Sequence, residues 1–113
     1  MGYDTAAKTD ADSVIPEEYG GMWFLKGPLD SDQVGLTVLE LEPDAKGKEH
    51  DHGSDGQEEI YYVVEGDIEV ELGDETQHLG PDEAIRIDPA ETRQLFNRGD
   101  ERAKLVLVGG PLE

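Results

Sequence analysis

The stretch Glu58–Leu72, EEIYYVVEGDIEVEL, carries two short apolar runs on either side of Gly66-Asp67. In an extended chain alternate residues face the same side. Along IEVEL (68–72), Ile68, Val70 and Leu72 therefore share one face, while Glu69 and Glu71 share the other. That is the pattern of a half-buried strand. Gly66-Asp67 supplies turn chemistry between the runs. If Tyr61 and Val63 face inward from a strand over 59–65, Glu59 faces inward with them and Glu58 faces away. Two neighbouring glutamates then have different roles.

The same grammar extends in both directions. Further strands are expected at 21–26, 34–42, 75–79, 84–87, 93–96 and 105–108. They are separated by Gly73-Asp74 and by breaks at Pro28, Pro43, Pro81, Pro89 and Pro111. No helical period is sustained over ten residues. The expected class is all-β, a sandwich or barrel, with 1–13 as a flexible polar arm and 14–113 as one domain.

The composition sets limits on partners. The 113 residues include 28 acids and 9 bases, a net charge of −19. The acids alternate with Val, Ile and Leu, as in LTVLELE (36–42), so they coat a folded surface and do not mark disorder. A surface this negative repels nucleic acid and anionic membrane. It costs least where salt screens the self-repulsion, which points to the molar-salt cytosol of a halophile. There is no cysteine, which excludes disulfides and thiolate zinc sites. The first sixteen residues lack a signal peptide's apolar segment, and no apolar run is long enough to span a membrane. A cytoplasmic location is expected.

Upstream of the opening stretch lies EHDHGSDGQ (49–57). A His-x-His pair on an extended segment places both imidazoles on one face, about 6.5–7 Å apart. With metal–nitrogen bonds of about 2 Å, that spacing suits two ligands of one ion. A carboxylate from a neighbouring strand would complete a two-His-one-carboxylate set, suited to Fe, Mn, Ni or Zn and open to substrate. The plainer reading of His50 and His52 is a pair of exposed loop histidines, and of Glu59 a solvent-facing acid. The loop is not a calcium EF-hand: Asp51, Asp55 and Gly56 fit, but Gly53 and Tyr62 stand where acids are needed.

Together these residues resemble the first motif of the cupin superfamily, G-x5-HxH-x3,4-E-x6-G. His50 and His52 give HxH, and Glu59 stands seven residues before Gly66. The resemblance covers about residues 34–110. It implies a double-stranded β-helix (jelly-roll) barrel with His50, His52 and Glu59 as metal ligands. Asp44 replaces the leading glycine, and six residues rather than three or four separate His52 from Glu59.

The second motif, G-x5-PxG-x2-H-x3-N, aligns on Asn97 within residues 80–97. The family's fourth ligand, a histidine, then falls on Arg93, which is always protonated and has no lone pair to give. Two outcomes stay open. A divalent metal could bind His50, His52 and Glu59 while Arg93 grips an anionic substrate group. Alternatively Arg93 pairs with Glu59 and its charge replaces the metal's. At an effective dielectric of ~20, each unit of charge repulsion at about 5 Å costs about 3 kcal/mol, and a dication doubles it.

The resemblance thus leaves three readings: a metal-dependent enzyme on a small organic molecule, anionic if Arg93 grips it; a non-catalytic small-molecule (anion) binding or sensing barrel; or a scaffold with no ligand. In the enzyme, Arg93 and Tyr61 would orient substrate, with dioxygenase, isomerase and decarboxylase chemistry all open. No catalytic residue is singled out: cysteine is absent and no Gly-x-Ser-x-Gly elbow occurs. A homodimer through the N-terminal edge strand is expected, with Trp23 or Phe24 at the contact.

Overall fold

A computed structural model describes residues 2–112. Eight strands follow in chain order: β1 (Gly20–Phe24), β2 (Gly35–Leu41), β3 (Gln57–Glu65), β4 (Ile68–Leu72), β5 (Glu75–Leu79), β6 (Ala84–Ile87), β7 (Gln94–Phe96) and β8 (Ala103–Pro111). The chain is all-β, as expected. β4, β5 and β6 have the bounds read from the sequence, while β8 runs on past Val108 through Gly109 and Gly110. Gly-Gly-Pro reads as a turn, but β8 is paired on both sides, to β2 and to β3, and two ladders hold its backbone extended.

The strands form two antiparallel sheets, ordered β1-β2-β8-β3-β6 and β5-β4-β7. Their inner faces supply one core. Tyr61 and Val63 of β3, Leu105 of β8 and Leu39 of β2 pack against Ile68 and Val70 of β4, with Leu79 and Leu95 beside them. Each such burial is worth about 1.5–3 kcal/mol. The inward phase of β3 is therefore as the alternation implies, and it carries Glu59 to the inner face. Glu58 points the other way, to Arg86 (3.1 Å).

Three turns show why the motif positions are occupied as they are. Gly66 joins β3 to β4 at φ +88°, and a Cβ there would lie 2.9 Å from Ala103 Cα, so only glycine fits without strain. Asp44, at the leading-glycine position of the first motif, has φ 69°. Asp82, at the equivalent position of the second, has φ 66°. Asp tolerates this left-handed conformation better than most residues, so the turns survive the loss of glycine.

Asn97 is buried and acts as a pin: its Nδ2 donates to the carbonyls of Leu41 (2.9 Å) and Glu101 (2.8 Å). Residues 2–13 contain one 3-10 turn, Lys8–Asp10. Lys8 Nζ sits 2.9 Å from Glu40 and 4.2 Å from the centre of the Trp23 ring. Among the described residues, no helix is long and apolar enough to cross a membrane.

Candidate metal centre

Residues 45–50 run beside the segment that ends in β7. Gly47 N donates to the Leu95 carbonyl (2.8 Å), and His50 and Arg93 exchange backbone hydrogen bonds (3.0 and 2.8 Å). This pairing aligns the two motifs: it puts the imidazole of His50 next to the side chain at position 93. Glu59 arrives from β3 across the barrel, where it stands opposite Gly109 of β8 and Ile87 of β6.

The four side chains converge. His52 Nε2 lies 3.1 Å from Glu59 Oε1, His50 Nε2 3.8 Å and Arg93 Nη1 3.2 Å. One ligand atom from each of His50, His52 and Glu59 falls within 4.8 Å of the others. The imidazoles meet edge to face, with ring centres 5.1 Å apart. Tyr61 donates its hydroxyl hydrogen to the same Glu59 oxygen (2.9 Å). Burial, then the adjacent Glu59 carboxylate, pushes the Tyr61 hydroxyl far above its ordinary range, so it stays a donor.

The histidines are oriented from behind. His50 Nδ1 lies 2.9 Å from the Lys48 carbonyl, and His52 Nδ1 lies 2.9 Å from the Asp55 carboxylate. Both partners only accept, so each Nδ1 carries the hydrogen. In the neutral ring, each Nε2 then keeps its lone pair, directed at the centre. His52 Nε2 is buried and lies off the line of a hydrogen bond to Glu59, so nothing in the protein satisfies it. A buried acceptor without a donor costs about 1–3 kcal/mol, and a metal ion would remove that cost. The donor set therefore fits a divalent transition metal.

Arg93 is the departure from a four-ligand centre. Its side chain is 0% exposed. Nη1 holds Glu59, Nη2 donates to the Asp88 carbonyl (2.6 Å), and the buried Nε finds no acceptor. Glu59 is thus part-neutralised before any metal arrives, which weakens its attraction for a dication.

The centre opens on a cavity of about 410 Å³. Its walls are mainly apolar, from Phe24, Leu39, Leu41, Leu95 and Leu107 among others, and Tyr61, Arg93 and the three candidate ligands line it too. Every site residue named from the sequence thus borders one cavity. Sequence reasoning missed Asp55, whose offset of three from His52 was the available signal, and the carbonyls of Lys48 and Asp88, which leave no trace in side-chain chemistry.

The comparisons with known proteins agree with this architecture. A family model described as "Cupin domain" matches residues 37–109. The chain is 40% identical over 80 residues to a protein named polyketide synthase CurC from Streptomyces cyaneus, covering 70% of this chain and 49% of the relative. It therefore spans about half the length of that relative. Among solved structures, a cupin protein from Bacteroides fragilis superposes with a TM-score of 0.81 at 18% identity, over 99% of this chain and 86% of that one. A sugar phosphate isomerase of the cupin superfamily from Silicibacter pomeroyi gives 0.73 at 24% identity, over 88% and 68%. At these identities the structures show a shared fold and nothing finer. With the family model matched across both sheets and both motif regions in place, this chain belongs to the cupin-domain family.

Proposed function

We propose that this cupin is a metal-dependent enzyme acting on a small organic molecule, with His50, His52 and Glu59 as the metal ligands. The observation that carries the reading is the pair of Nε2 lone pairs, each fixed from its Nδ1 side and aimed at Glu59, at the polar end of an apolar cavity. A divalent Fe, Mn, Ni or Zn ion held there would polarise a coordinated substrate oxygen as a Lewis acid. The protein's own groups prepare that position. Arg93 and Tyr61 hold Glu59 Oε1 in place, and the hydroxyl of Tyr61 keeps its proton at any working pH. Leucine and phenylalanine side chains exclude water and surround the apolar body of a ligand. In this reading Arg93 is a positioning residue, since two of its donors are taken by protein acceptors. The likeness to a relative named as a polyketide synthase supports organic-molecule chemistry.

The second reading is a binding or sensing barrel without catalysis. The buried Arg93–Glu59 pair favours it, because a fixed cation already sits where the last ligand would be. Elemental analysis of untagged protein purified in molar KCl separates the two, with His50→Ala alongside to subtract ions collected by the acidic surface. One transition metal per chain, lost in the variant, supports the enzyme reading. No metal in either protein overturns it in favour of the binding barrel.

A further inference from the structure

The charge of the cavity is opposite to that of the molecule. Against a net charge of −19, the cavity is lined by Lys46, Lys48 and Arg93, with Glu59 as its single carboxylate. Glu59 is already matched by Arg93, so the surplus is the two lysines.

Those lysines also lack acidic partners. Lys8, Arg86, Arg93, Arg98 and Arg102 all pair with carboxylates. Among the described residues, no carboxylate lies within ion-pair distance of Lys46 or Lys48, although the chain carries 28 acids. Lys26 and Lys104 likewise lack an acidic partner among the described residues, but of these four cations only Lys46 and Lys48 border the large apolar cavity. Arg93 lines the same cavity, and its buried Nε–H lacks an acceptor. Unsatisfied donors and unpaired positive charge beside an apolar space describe the complement of an amphipathic anion.

We infer that the ligand is an organic acid, an apolar body bearing a carboxylate or phosphate, and that Lys46 and Lys48 select it by its charge. The inference rests on the reading that this cavity is the ligand site, but not on a metal being present. The lysines are specificity residues and not metal ligands. Lys48 serves the metal centre only through its backbone carbonyl, which a side-chain change leaves in place.

The experiment is calorimetric titration of three acids (benzoate, naphthoate and decanoate) and their neutral amides. It uses the full chain at the lowest KCl that keeps it folded. Wild type should prefer at least one acid over its amide by about tenfold or more. Lys46→Gln/Lys48→Gln should bring that preference to near unity while metal affinity, titrated separately, stays unchanged. Preference retained in His50→Ala/His52→Ala supports the inference even if the metal reading fails. Preference that survives the lysine changes and disappears with the histidines puts the acid group at the histidine centre. That result overturns the inference and leaves the metal reading standing. Absence of preference for all three acids also overturns it.

Discussion

Arg93 and Glu59 are joined inside the barrel, Nη1 to Oε1 at 3.2 Å, with the arginine side chain wholly removed from solvent. Removing either partner would leave the other charge buried and uncompensated. In the proposed metal centre the pair would also weaken ion binding, because the guanidinium stands at the position aligned with the family's fourth ligand and draws charge from Glu59.

Arg93→His should therefore raise metal affinity by about tenfold or more, since it adds a neutral donor and removes a competing cation. Competition against a chromophoric chelator, with Zn or Mn as the titrant, measures the change. An unchanged affinity would mean that position 93 does not reach the centre.

Asp55 lies on an exposed loop and touches the site only through His52 Nδ1 (2.9 Å). Asp55→Ala should leave folding intact and weaken metal binding by about 10–100-fold, the usual cost of losing the partner that orients an imidazole ligand. Equal affinity in variant and wild type would show that the His52 ring is held by other contacts.

Glu40 gives a prediction in pH. Partial burial raises its pKa, but hydrogen bonds from Lys8 and Arg102 outweigh that effect and hold it below the ordinary glutamate range. A carboxylate with a depressed folded-state pKa adds stability above its unfolded value, and the gain is lost as pH falls through the folded one. The stability difference between wild type and Glu40→Gln should be constant near neutrality and shrink below about pH 4.5. Urea unfolding at a series of pH values measures it, and a difference independent of pH would refute the assignment.

The outer face of the five-stranded sheet makes a prediction about self-association. Paired rows place Trp23, Val38, Val106 and Tyr62 side by side, with Leu36, Val108 and Ile60 in the next row. The charged residues on these strands' outer face, Glu40, Glu58, Glu65, Arg86 and Lys104, sum to −1, against −19 for the whole chain. The edge of β1 is less available, because Met22 already bonds Ser13 Oγ (3.0 Å) and Val14 N (2.9 Å). We propose that a second copy packs on this face, where near-balanced charge lets two acidic chains meet with little repulsion. Sedimentation velocity should show a dimer favoured by molar KCl, which screens the remaining acids, and Ile60→Glu should convert it to monomer. A wild-type monomer at all salt concentrations would reject the interface. The same salt series tests the halophilic reading, in which the fold weakens on dialysis to low salt.

The bounds of β5 and β6 were legible from the turn residues Gly73-Asp74, Pro81 and Pro89, while those of β4 were legible because it is half-buried, and half-burial writes its period of two directly into the residues. Glu59 could be told from Glu58 for the same reason. The continuation of β8 through Gly109 and Gly110 was not legible, because Gly109 is extended by partners on both sides and Gly110 by β3, not by their own preference.

For this protein, local pattern determined the all-β class and the inward phase of β3, and the motif's resemblance to the cupin family singled out His50, His52 and Glu59 as candidate ligands. These depend on neighbours a few residues apart, where alternation and spacing are physical constraints. Only the tertiary structure decided that Arg93 gives its donors to Glu59 and the Asp88 carbonyl, and that Lys46 and Lys48 border the cavity without acidic partners. Those facts are set by which segments the sheets bring within a few ångströms. Electrostatic and hydrogen-bond energies depend on that distance and not on separation along the chain.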